Sequence, residues 1–144
     1  MASLPTVGGD NGNWGTILNS YLQVEHSTNG THVMGTGLVT ENVNTVTSSG
    51  SSQTLPAPST ATISNITLSE NCTITLPAAT AGQSITVQLK QGAGGSKTVT
   101  WITALWPSGV APTLSATAND IDVFVFLCID GANWLGFTAG QDLS

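Results

Sequence analysis

At 144 residues the chain is one domain in size, with room for a short N-terminal appendage. Hydrophobic residues are 40% of it, enough for a core, but charged residues are only 7%, against about a quarter in an ordinary soluble protein. Lys90 and Lys97 are the only cations and the net charge is −6, which argues against nucleic acid and anionic membrane as direct partners, since neither phosphate nor lipid charge is matched. Thr, Ser, Asn and Gly must therefore cover the surface, and few charges keep copies apart.

The first predicted element is a helix. Trp14, Ile17, Leu18, Tyr21 and Leu22 recur at i, i+3, i+4, i+7 and i+8, one apolar stripe. Asp10, Asn11 or Asn13 can cap its N-terminus. A helix of about four turns is not stable alone in water, so the stripe is expected to dock on its own β domain, on copies of itself or on a partner. Neither a basic n-region nor an apolar h-region precedes it, so synthesis and retention in a cytosol are expected. Ser27-Thr28-Asn29-Gly30 then reads as a turn, flanked by His26 and His32. Two histidines are too few for a metal site in one chain, and no metal or cofactor is expected.

His32–Thr47 is β-branched and polar, with no apolar face wide enough for a core; it reads as an extended arm ordered by sister chains. Ser48–Pro58 reads as a linker. From Thr60 onward the pattern is of short strands: Thr60–Leu68, Cys72–Leu76, Ser84–Gln91, Thr98–Ile102, Asp122–Ile129 and Ala132–Phe137. Gly92–Ser96 reads as a hairpin tip and Asp130-Gly131 as a strong hairpin signal. Strands and turns at this spacing predict an antiparallel sandwich or small barrel. Val123–Ile129 is apolar on both faces, as in a strand central to a core or buried under another subunit. It is also the longest apolar block, and it is too short to cross a membrane as a helix.

Candidate chemistry is sparse. Asp120 and Asp122 share a face at the start of a strand and read as edge charges that oppose aggregation rather than an acid/base pair. Cys72 and Cys128 read as free, buried thiols. Trp101 and Trp134 lie in strands, where core packing is expected. Trp106, before Pro107 in the long Thr103–Asn119 loop, is the candidate ligand contact, and it serves equally as a plug closing the barrel end. No nucleophile, base and orienter assemble from these residues, so an enzyme is not expected.

Two segments carry a resemblance. Leu4-Pro5, GGDNGNWGTILNSYL and VEH…NGTH resemble the N-terminal segment of tailed-phage and prophage virion proteins, tail fibres included, over Pro5–His32. LPAATAGQSITVQLKQGAGGSKTVTW, followed by WPSGVAPTLSATANDIDVFVFLCIDGANWLGF, is similar to a β module of phage tail and capsid-associated proteins. The resemblance implies a virion structural protein, a homotrimer with an intertwined N-terminal part. Host-recognising fibres usually run on beyond such a module, and this difference in length turns the reading towards the head.

The expected architecture is mainly β: an N-terminal helix and extended arm over 1–58, then an antiparallel β-sandwich or barrel over 59–144, in an intertwined homotrimer. The expected function is a trimeric capsid decoration (cement) protein of a tailed phage, made in the host cytoplasm and seated on the capsid surface. Its partners would be its own copies and the major capsid protein, engaged through Trp14, Ile17, Leu18, Tyr21 and Leu22. The alternative is a short tail fibre or tail-tip adhesin that binds a host-surface glycan through the Trp106 loop.

Overall fold

The structure is a computed structural model and describes residues 41–144, with Gly12 in addition. The expected helix, its five interface side chains Trp14, Ile17, Leu18, Tyr21 and Leu22, and both histidines lie outside the described residues.

The described residues form nine strands: β1 (Val43–Val46), β2 (Ser52–Thr54), β3 (Ile63–Leu68), β4 (Cys72–Thr75), β5 (Ser84–Gln91), β6 (Val99–Ile102), β7 (Ala104–Leu105), β8 (Ile121–Leu127) and β9 (Trp134–Leu143). One short 3₁₀ turn, Pro107–Gly109, interrupts them. A six-stranded sheet runs β1-β3-β5-β8-β9-β7 and a three-stranded sheet runs β2-β4-β6. The larger one curls towards a half-barrel.

The mainly β expectation is therefore met, but the antiparallel one needs correction. β1, β3 and β5 pair in parallel, and so do β2, β4 and β6. The chain coils, and each turn lays one strand in each sheet: β1 then β2, β3 then β4, β5 then β6. This is a short two-sheeted solenoid of three turns. Antiparallel pairing begins only at β8, which runs against β5, and continues in the β8–β9 hairpin around Asp130-Gly131.

The physical reason lies at the corners. Ser49 N donates to Thr67 O at 2.9 Å, and Gly92 N to Leu68 O at 3.0 Å. Ser69 N reaches Ser49 Oγ at 3.2 Å, and Gly50 N reaches Ser69 Oγ at 3.0 Å. Small polar residues let successive corners stack, where a hairpin would reverse the chain. At Gly92 a Cβ would stand 2.3 Å from Leu68 O, so only glycine permits the close approach. Ser48–Pro58, read as a linker, contains the first corner and β2. Thus β1 and β2, which precede the expected division at 58/59, hydrogen-bond to β3 and β4.

The core fills the space between the two sheets. Ile66 pairs in register with Leu89, Val87 with Phe124 and Ile85 with Phe126, all buried. Cys72, Ile74 and Leu76 face them from the small sheet side. Both cysteines are free and buried, and burial pushes the Cys72 thiol up. The strand alternation predicted for Ile85–Leu89 is the burial pattern observed, with Thr86 and Gln88 outward.

Candidate functional site

The last turn of the solenoid has no further strand beside β6, and the 103–119 segment closes it. Trp106 drives this closure. Its ring meets Phe126 at 5.4 Å and Phe124 at 5.8 Å, both edge-on, and Trp101 at 5.6 Å. Trp101 in turn lies 5.0 Å from Phe126 and 5.4 Å from Phe124. The Trp106 ring lies across Gly136 of β9, where a Cβ would come within 2.8 Å of it. The candidate ligand contact thus sits half-buried on the aromatic end of the core, in the place where a plug would sit. Trp134 is buried, and its Nε1 donates to Pro77 O at 2.8 Å.

Beyond Trp106 the segment is held by buried polar side chains. Gln91 Nε2 donates to Lys97 O and to Ser115 O, both at 2.8 Å, while its Oε1 accepts from Lys97 N at 2.9 Å. Asp122 accepts from Ser115 N and Ser115 Oγ, each at 2.7 Å, and from Asp142 N at 3.1 Å. Asp120 accepts from Thr117 N at 3.1 Å. The two aspartates are not exposed edge charges: they are 6% and 2% accessible, and they hold the loop. Such charge-assisted bonds to backbone amides are the strong kind.

The pinned segment and the β5–β6 corner enclose a cleft of about 360 Å³. Ser96, Lys97 and Thr98 form one wall; Pro112, Thr113 and Leu114 form the other. Its size falls at the lower end for small-ligand sites, roughly 300–1,000 Å³. Its walls carry the hydroxyl-bearing Ser96, Thr98 and Thr113 beside the apolar Val99, Pro112 and Leu114. No local sequence pattern marks this cleft. The signal the sequence does carry is polarity on the buried parity of two strands, at Gln91 of β5 and Asp122 of β8. Among the described residues no group of three or more His, Cys, Asp or Glu is placed to hold a metal ion.

Residues 47–134 match the family described as "Putative phage tail fibre C-terminal domain". The chain belongs to this phage tail fibre family. It is accordingly a structural component of a phage virion. No curated protein and no solved structure matches the chain. The tail fibre match begins just after β1 and ends at the first residue of β9, so it takes in the stacked corners, the 103–119 segment and both walls of the cleft. No helix among the described residues is long and apolar enough to cross a membrane.

Proposed function

We propose that this chain is a module of a phage tail fibre that works by contact and not by catalysis, on the outer surface of the tail. The observation that carries this reading is the family match over residues 47–134. It favours the tail over the capsid shell, and with it the tail-fibre alternative over the decoration reading.

Within that reading the cleft between Lys97 and Thr113 is the receptor contact. Its ligand is a host-surface glycan, held through hydroxyls at Ser96, Thr98 and Thr113. Trp106 contributes by fixing the loop that carries Pro112 and Thr113. The module is a homotrimer, a state supported by its low charge and by the apolar outer face of β8. Three copies would present three clefts, and weak single-site affinity then becomes avid adsorption.

Competition tests it. Purified chain incubated with host cells is expected to block adsorption of the phage, and Lys97→Ala is expected to raise the concentration needed by about tenfold, ~1.4 kcal/mol. Adsorption that is indifferent to saturating amounts of the chain would remove the receptor role.

A further inference from the structure

Lys90 and Lys97 are the only basic side chains of a chain whose net charge is −6, and Lys97 is held in a fixed place. It follows the Gly92–Gly95 turn, where Gly95 N donates to Gly92 O at 2.9 Å. Buried Gln91 grips its backbone through both Lys97 N and Lys97 O. The Lys97 side chain is half-buried and lies back over the turn: a Cβ at Gly94 would stand 3.6 Å from the ammonium. The turn is itself fixed by contact. A Cβ at Gly92 would stand 2.3 Å from Leu68 O, and one at Gly95 2.4 Å from Ala116 O. Beside the ammonium lies a second hollow, of about 330 Å³, between this turn and the corner of the preceding coil. Thr67, Leu68 and Ser69 line one side of it, and Gly92–Gly94 with Lys97 the other. Hydrogen-bond donors gather there. Ala93 N and Gly94 N, at the middle of the turn, donate to no group among the described residues. Ser69 Oγ accepts from Gly50 N at 3.0 Å and keeps its own proton to give. Among the described residues no carboxylate lines the hollow; Glu70, next to Ser69, is exposed.

We infer that this hollow is an anion site and that the glycan of the adjoining cleft is an acidic one, its carboxylate or phosphate seated between the Lys97 ammonium and the Ala93 and Gly94 amides. The inference rests on the receptor reading above and names the chemical class of its ligand. Lys97 lines both hollows, so a sugar held by Ser96 and Thr98 in the first has only to carry its charged group across Lys97 to reach the second. Adjacent backbone amides in a turn form a concavity that favours an anion, and bonds from amides and an ammonium to a charged oxygen are the strong kind. The rest of an acidic molecule repels such a ligand. The one corner where a cation and unpartnered donors converge therefore fixes where the charged group sits, and with it the register of the sugar in the cleft.

Titration of the isotope-labelled full chain, followed by NMR at the Ala93 and Gly94 amides under constant ionic strength, tests the inference. Inorganic phosphate and glucuronate are the probes, and glucose is the neutral control. Both anions are expected to shift these two amides saturably, and glucose to leave them in place; the tighter of the two anions tells a phosphate-bearing from a carboxylate-bearing glycan. Lys97→Gln is expected to weaken the anions at least about tenfold. Lys90→Gln, on the other face of β5 from the core, is expected to change nothing. Ala93→Pro removes one amide proton at a turn position that proline favours, and is expected to weaken the anions with the ammonium intact. Amides that stay still at millimolar anion, or that respond equally in Lys97→Gln, would overturn the site. If the chain nonetheless blocks adsorption, the receptor reading stands without it. Anion bound at the corner with no block of adsorption would overturn the receptor reading and leave the anion site.

Discussion

Single residues decide how the end of the solenoid closes. Gly136 has no side chain because the Trp106 ring occupies that space. Gly136→Ala must push the indole off Phe124 and Phe126, and overpacking of this kind costs about 1–3 kcal/mol; a lowered midpoint in denaturant is the expected result. Gln91 satisfies three backbone groups of the two loops at once. Gln91→Leu leaves them without partners at about 1–3 kcal/mol for each group that water cannot reach. Hydrogen exchange should then rise at Lys97 N above all. Asp130 shows a pH signature. Asn133's side-chain amide and the Ala132 and Asn133 backbone amides donate to its carboxylate and hold its pKa at about 2, below the usual 3.8. A folded-state pKa below the unfolded one contributes stability that is complete above about pH 4 and lost as pH falls towards 2. Asp130→Asn is expected to flatten the unfolding curve in that window, and a titration of the Asp130 carboxyl by NMR should give the low value directly.

At the scale of elements, the strands were legible and their partners were not. Ile85–Leu89 alternates because one face meets the core, and it would do so whether its neighbours ran parallel or antiparallel. Buried parallel sheets usually betray themselves by apolar runs. Here each turn of the coil covers one face only, so β3, β4 and β5 carry the alternation of an antiparallel strand. Of the stacked corners, Gly92–Ser96 reads as a turn, but one that reverses the chain, and the first lies within Ser48–Pro58, a stretch that reads as a linker. What distinguishes a stacked corner is its neighbour above and below, Ser69 and Ser49, and no local pattern carries that. Asp130-Gly131, whose signal is purely local, does join the antiparallel pair β8 and β9. The cleft was illegible for the same reason as the stacking. Lys97 and Thr113 belong to segments brought together by Gln91, by Asp122 and by the bond from Ser96 N to Ala116 O, all distant in sequence. The element to perturb is the middle turn: Ile74→Ala opens a cavity between the sheets, opposite Gln53 and Trp101 in register, at a cost of about 2–5 kcal/mol. Loss of protection in both β2 and β6 amides by hydrogen exchange is expected, because a solenoid transmits the defect to its adjacent turns.

For the whole molecule, composition set the terms early. A chain with 7% charged residues suits a part that is packed among others in a virion, and the family match makes it a phage structural component. A three-turn solenoid is a reasonable body for such a part. Its stability grows turn by turn and its backbone bonds are internal. On the proposed function this body sits on the tail. Labelling purified particles with gold-conjugated antibody against residues 41–144, and counting labels by electron microscopy, tests that claim most directly. Label at the tail, in a few copies or a few tens per particle, is the predicted result; hundreds of labels spread over the head shell would contradict it and return the chain to the capsid.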